Sequence, residues 1–393
     1  MSQPVRLATR TTGAGELFQL FRNGSARTRA ELVSITGQSR STIAARIDSL
    51  LAAGLIAPAG EASSTGGRPP TTFAFQPDVR VVLAVDLGAT HARLALTDLA
   101  ANVLAQTYAT RPIADGPEPV LAHVMTAGRD LAAAAGRTLT DLAAVGVGLP
   151  GPVEHSTGRP INPPIMPGWD DSDVPGILAA GLGTTVLVDN DVNIMALGEH
   201  RTWWPDVADM LFVKLGTGIG AGIISEGVLH RGAQGSAGDI GHVAVPSGAQ
   251  VPCRCGNLGC LEAIAGGAAI AETLAREGMA ARSSSDVVAL VRSGDPAAAR
   301  AVYQAGREIG SVLAAAVSLL NPSIVVIGGN LAEAGEQLVA GIREVVYRRS
   351  LPLATQDLQI VLSKGRENAG VLGASAMAID HVLSPAEIDA LIA

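Results

Sequence analysis

The stretch best equipped for chemistry is Gly241-His242 followed by Cys253-Arg-Cys255-Gly-Asn-Leu-Gly-Cys260-Leu-Glu262. All three cysteines of the 393 residues fall between positions 253 and 260. With His242, Cys253, Cys255 and Cys260 supply three thiolates and an imidazole, the donor set of a closed tetrahedral Zn2+ site. Gly256 and Gly259 let the backbone turn tightly enough to bring three sulfurs to one ion. A buried cysteine cluster or a chance disulfide is the plainer alternative. An odd cysteine count and no secretory signal argue against a disulfide framework.

Other reactive groups stand at strand ends. Val81–Val85 reads as a buried strand that runs into Asp86-Leu-Gly88-Ala-Thr90. A carboxylate, a glycine turn and a hydroxyl are the parts needed to hold a phosphate and its magnesium. Val186–Asp189 runs into Asn190-Asp191-Val-Asn193. A carboxylate beside an amide at such an end can serve as general base toward a hydroxyl, or cap a helix over 192–201. Leu211–Leu215, the turn Gly216-Thr217-Gly218-Ile-Gly220 and the residues to Ile224 read as a hairpin whose N–H groups suit phosphate. Asn321 to Asn330 is a further strand, and its Gly328 and Gly329 suit close approach of a nucleotide or a helix. Matching strand–glycine units near 86 and 216 predict two related α/β lobes with a cleft between them. In the loop 162–169, Trp169 offers a sugar-stacking surface, though packing is its simpler role.

The elements that position these groups follow from composition. The chain is 48% hydrophobic and 3% aromatic, so its core is built from Ala, Val, Leu and Ile. No apolar run is long enough to span a bilayer, and Met1-Ser-Gln-Pro lacks the apolar region of a signal peptide, so a cytoplasmic protein without membrane partners is expected. Net charge is −8, yet residues 1–72 carry eight arginines against four carboxylates, which leaves −12 on the rest. A small basic module on an acidic body fits DNA binding by one end.

That module reads as a winged helix-turn-helix. Glu16–Phe21 forms a helix closed by Asn23-Gly24; Thr28-x-x-Glu31 is a capping box; Thr36-Gly37-Gln38 is a turn before the helix 41–51. That second helix would enter the major groove with Gln38, Ser39, Arg40, Ser41 and Thr42 at its leading end, while Arg46 touches phosphate. Leu55-Ile56 and Thr72–Phe75 pair as wing strands, and Arg68 at the tip reaches a minor groove.

Taken together, Asp86-x-Gly88-x-Thr90, Asn190-Asp191-x-Asn193, Gly216–Gly220, Gly238-Asp-Ile-Gly-His242 and the cysteine run resemble the ROK family of repressors, open reading frames and sugar kinases. The resemblance spans residues 80–380 and implies a two-lobed actin/hexokinase-like (ribonuclease H-like) ATPase fold. The resulting boundaries are 1–76 for the winged module, 77–190 for the first lobe and 191–393 for the second, with a C-terminal helix that can return to the first. Asp191 resembles the family's catalytic base. Asn162, Asn190, Asp191, Asp239, His242 and Glu262 are the expected sugar contacts. Asp86, Gly88, Thr90, Gly216, Thr217, Gly218, Gly328 and Gly329 are the expected phosphate and ATP contacts, and His242 with the three cysteines the zinc ligands. The chain departs from the family's kinases at Ala89, His91, Asp239 and Asn330.

Three functions remain in view. The first is a sugar-responsive transcriptional regulator, expected to repress carbohydrate uptake or catabolism genes and to bind an inverted-repeat operator as a homodimer or homotetramer. The second is an ATP- and Mg2+-dependent sugar kinase, and the third combines both. The departures favour the regulator, without enzymatic turnover.

Overall fold

The computed structural model describes residues 13–61 and 69–393. Arg68 and most of the expected wing tip therefore lie outside the described residues. The chain opens with α1 (Ala14–Phe18), then β1 (Arg27–Thr28), α2 (Arg29–Thr36), α3 (Arg40–Ala52), β2 (Ile56–Glu61) and β3 (Thr71–Phe75). Thr28 and Glu31 form the expected capping box: Thr28 Oγ1 accepts from the Glu31 N–H at 3.2 Å, and Glu31 accepts from the Thr28 N–H at 2.6 Å. Gly37 adopts φ +67°, the left-handed turn that redirects the chain into α3. Ile43, Ile47 and Leu50 of α3 close over Leu17, Phe18, Leu32 and Phe73, all buried. The wing is a three-stranded antiparallel sheet in the order β1-β3-β2. The two-residue β1 was not anticipated, being too short to carry any alternation.

The body contains two five-stranded sheets of one topology. The first uses β4 (Val81–Leu87), β5 (His91–Asp98), β6 (Val103–Thr110), then α4 (Pro117–Ala134), β7 (Leu142–Leu149), the short pair β8 (Val153–Glu154) and β9 (Arg159–Pro160), α5 (Val174–Leu182) and β10 (Thr185–Asn190). After α6 (Asp191–Trp203), the second uses β11 (Met210–Leu215), β12 (Ile219–Ser225) and β13 (Val228–His230). It continues through α7 (Leu261–Ala265), α8 (Gly267–Arg276), α9 (Ser284–Arg292) and α10 (Pro296–Leu320) to β14 (Ile324–Gly328). Then come α11 (Glu336–Arg349), α12 (Pro352–Thr355) and β15 (Gln359–Leu362). In each sheet three strands form an antiparallel meander and two more add in parallel, in the orders β10-β7-β4-β5-β6 and β13-β12-β11-β14-β15. Parallel neighbours require a crossover, which helices supply in both sheets. The expected pair of related α/β lobes is present.

Two helices join the lobes. α6 packs on β11 and β12 of one sheet and on β7 and β10 of the other; α13 (Ala369–Val382) packs on α6, β4 and β7. A side chain at Gly373 would collide with the Ile194 carbonyl and one at Gly198 with the Ala369 carbonyl, so α6 and α13 meet backbone to backbone. The expected helix 192–201 is longer, and its cap is Asn190. That leaves the Asp191 carboxylate free of capping duty.

The last helix, α14 (Pro385–Ile392), returns to the winged module. The Gly15 N–H donates to Asp389 Oδ1 at 2.8 Å, and the Gln19 amide donates to the Leu383 carbonyl at 2.8 Å. Leu383 and Ile388 share one core with Leu17 and Phe18. Among the described residues, no helix is long and apolar enough to cross a membrane.

Candidate functional site

Two constellations stand out. The donor atoms of His242, Cys253, Cys255 and Cys260 all lie within 4.8 Å of one another. His242 closes a short 3-10 turn, Ile240–His242, and Cys260 precedes the first turn of α7. Between them the chain doubles back through Cys253 N–H to Asn257 O at 2.8 Å, with Gly256 and Gly259 at φ +91° and +77°. Cys253 Sγ is 3.7 Å from His242 Nδ1, and Cys255 Sγ is 3.6 Å from Cys260 Sγ. A tetrahedral ion with metal–sulfur bonds of about 2.3 Å spaces its sulfurs about 3.8 Å apart. The donor set therefore fits a metal ion. A backbone N–H at Asn257 brings the Cys255 thiol down to about 7, while burial pushes Cys260 up to about 12. A bound cation would hold all three as thiolates.

The second constellation lies where the lobes meet. Asn190 Oδ1 accepts from the Val192 N–H at 2.9 Å, and its amide donates to the Gly151 carbonyl at 2.9 Å. This fixes the start of α6, so that buried Asp191 stands in the positive field of the helix N-terminus. Lys214, at the end of β11, donates to Asp191 Oδ2. The alternation of β11 explains the meeting: Met210 and Phe212 share a core with α6 residues, and Lys214 continues that face. Burial opposes the charge on Lys214, but the carboxylates of Asp191, Asp86 and Glu262 outweigh it and hold the lysine above its ordinary range. Asp189, also buried, accepts from Asn190 N–H at 2.7 Å, Asn193 Nδ2 at 2.8 Å and Arg231 Nε at 2.7 Å.

Both glycine turns are covered by side chains of this protein. The His91 imidazole lies where a side chain at Gly88 would stand, with its Nε2 3.9 Å from Asp86 Oδ2. Glu262 Oε2 accepts from the Ile219 N–H at 3.0 Å and lies against Gly218. Beyond Gly329, the turn carrying Asn330 faces α9 across a groove of about 520 Å³. Asn330 donates to Ser285 at 2.9 Å, and Arg292 pairs with Glu333 at 2.7 Å.

The structure thus brings together Asn190, Asp191, Asp86 and Glu262, and places Glu262 two residues after the last cysteine. Asn162, exposed at φ +45°, belongs to a loop whose Pro163 and Met166 pack toward Gly151, the partner of Asn190. Asp239 is exposed, as are Thr90 and Thr217 at the two turns. Trp169 is fully buried and donates to the Ile113 carbonyl at 2.9 Å, so it serves packing. In the winged module, Ser39 caps α3 by accepting from the Thr42 N–H at 3.1 Å. Arg40 and Ser41 are exposed at the leading end of α3, and Arg46 donates to Gln38 Oε1 at 2.5 Å. Lys214, Arg231 and the Asp189 anchor carried no assigned role in the sequence. A lone charge in an otherwise apolar strand is the signal that singles out Lys214.

Comparison with known proteins places this geometry. The ROK family model matches residues 82–381. The xylose repressor of Caldicellulosiruptor bescii is 29% identical over 91% of this chain and 92% of its own. A solved ROK family transcriptional regulator, a homolog of the Escherichia coli MLC protein, superposes with a TM-score of 0.81 at 25% identity, covering 96% of this chain and 98% of that one. The ROK hexokinase of Thermus thermophilus superposes at 0.65 with 30% identity, covering 99% of itself and 77% of this chain. The repressor and regulator are thus matched nearly end to end, the hexokinase over about three quarters of the chain, and the protein belongs to the ROK family.

Proposed function

We propose that this protein is a sugar-responsive transcriptional repressor of carbohydrate uptake or catabolism genes. The observation that carries the reading is a winged helix-turn-helix joined to a sugar-kinase-like body, in one chain similar throughout to a xylose repressor. The parts are residues 1–76 for DNA, with 77–190 and 191–393 as the two lobes that hold the sugar between them, and with the C-terminal helices α13 and α14 reaching back to the first lobe and the winged module. Arg40 and Ser41 at the tip of α3 read base edges, and Arg46, further along the helix, contacts phosphate. The protein works as a symmetric oligomer on an inverted repeat.

Zinc is the ion we assign to His242 and the three cysteines, because three thiolates with one imidazole suit it. Its role is to fix the loop that carries Glu262 into the sugar cleft.

α6 supplies the route from sugar to DNA. Its first residue is Asp191, and near its far end Arg201 pairs with Asp380 of α13 at 2.7 Å. Asp380 also holds Arg22 of the winged module at 2.8 Å. A sugar that favours one lobe arrangement moves α6 and α13, and with them the module, which is a coupling free energy between two sites.

The test is a titration of full-length protein on an inverted-repeat operator selected from random duplexes, with and without a panel of aldoses. Arg40→Ala should weaken specific binding roughly 10-fold or more, a loss of about 1–3 kcal/mol. Asp380→Asn should leave operator affinity in place and remove the response to sugar. A protein that selects no sequence, or whose selectivity ignores Arg40, overturns the reading.

A further inference from the structure

Within the sugar cleft proposed above, we propose that Lys214 is a positioning residue that withholds Asp191 from proton transfer. The cleft then binds a neutral sugar and releases it unphosphorylated. In a kinase of this fold, the base takes the proton from a sugar hydroxyl as its oxygen bonds to the γ-phosphorus of ATP and the bond to ADP breaks. Here the Lys214 ammonium sits on Asp191 Oδ2. Burial holds the Asp191 carboxyl above its ordinary range and Lys214 opposes that rise. The lysine's hydrogen bond occupies Oδ2, so that oxygen takes a sugar proton only when Lys214 is displaced. The pair is screened from water, with 4% of the Asp191 side chain exposed and 23% of Lys214. In this proposal the other carboxylate oxygen, Oδ1, accepts from a sugar hydroxyl.

The strand register makes room for the lysine. Lys214 lies opposite Gly220 on β12 and Gly328 on β14, so neither neighbour crowds it. The phosphate side is occupied as well. Glu262 takes the Ile219 N–H, a donor that a phosphate oxygen would use, and His91 covers Gly88. Three carboxylates, Asp86, Asp191 and Glu262, act electrostatically on the Lys214 ammonium. That surplus of negative charge disfavours a phosphorylated sugar and favours an uncharged one.

The test uses full-length protein in four forms: wild type, Asp191→Asn, Lys214→Met and the double variant. Aldopentoses, aldohexoses and N-acetylated aminosugars are titrated by calorimetry, and label transfer from Mg·ATP is followed for each. Wild type should bind an uncharged sugar and transfer no label. Each single variant should weaken that sugar about 10-fold or more, and the double variant should be no worse than the weaker single, the signature of coupled residues. Losses that multiply in the double variant overturn the proposal, and so does sugar-dependent transfer in wild type that Asp191→Asn abolishes. Each single substitution strands a buried charge and can impair folding. The double variant removes both charges, so its thermal unfolding midpoint should recover above those of the singles; a further drop counts against the pair. A protein that binds no sugar refutes the sensor reading and the ligand named here, while the unfolding cycle still reports on the ion pair.

Discussion

The two sheets of the body share strand order and direction, yet they end in opposite charges. Asp86-Leu-Gly88 closes β4, and Lys214-Leu-Gly216 closes β11 at the same place in its meander. Asp86 lies opposite Gly148 of the parallel neighbour β7, as Lys214 lies opposite Gly328 of β14. Their hairpins differ in what covers them, an imidazole in the first and a carboxylate in the second. The lesson is that a duplicated scaffold fixes where a side chain stands, while one residue type decides what that position does. In the first lobe the position offers an acceptor to the cleft; in the second it offers a cation to Asp191.

Four experiments probe that contrast. The most damaging change strikes the helix pair that both lobes share. Gly373→Ala drives a methyl into the Ile194 carbonyl, and overpacking at a backbone contact should cost about 3 kcal/mol or more. Chemical denaturation would show both lobes weakened together; loss confined to one lobe contradicts a shared spine. Next comes the pair of equivalent residues. Lys214→Met leaves Asp191 buried without its partner and should cost about 3 kcal/mol. Asp86→Asn, whose ionic neighbour is His91 at 3.9 Å, should cost clearly less. Equal losses would erase the distinction drawn between the lobes.

A third change belongs to the second lobe alone. Cys255→Ser should lose bound zinc in elemental analysis and raise hydrogen exchange across residues 243–262, with the first lobe unchanged. Retained metal and unchanged exchange would remove the cluster from any structural role. The smallest effect lies outside both lobes. Thr28→Ala removes a helix cap worth about 1 kcal/mol. The same cap carries a pH signature, because the Thr28 backbone N–H and hydroxyl hold the Glu31 carboxyl below its ordinary 4.5. Its contribution is complete above pH 4.5 and fades as pH falls through the lowered value. The alanine variant keeps the backbone N–H and loses the hydroxyl. The gap between thermal melts of wild type and Thr28→Ala should therefore narrow on acidification by the share the hydroxyl contributes; a gap that does not change with pH removes the hydroxyl from the Glu31 shift.

How much of this was legible beforehand depended on distance along the chain. Thr28-x-x-Glu31, Gly37 and the hydrophobic face Ile43, Ile47 and Leu50 are local signals, and the helix-turn-helix followed from them. The cysteines were legible because their spacing is itself the site. The related lobes were visible as repeated strand–glycine units, although the sequence does not state the register that sets Lys214 against Gly220 and Gly328. The Lys214–Asp191 pair was not legible, since period-2 alternation places a lysine on a face without naming what lies across it. Nor was the cover over the turns, because Glu262 reaches back 43 residues to Ile219. The destination of α14 was the hardest to read. Its capping signal at Ser384 marks a helix, and nothing near it points to a partner more than 360 residues away.

That destination has a practical consequence. Because Asp389 and Leu383 grip α1, the described beginning and end of the chain lie side by side. A tag or fusion partner attached at Ala393 would hang beside the winged module. Trimming the last helix would strip Leu17 and Phe18 of part of their cover. Reporter fusions and shortened forms of this protein would then report a perturbed module, and insertions meant to be silent belong in a surface turn of the body, such as the one at Gly278.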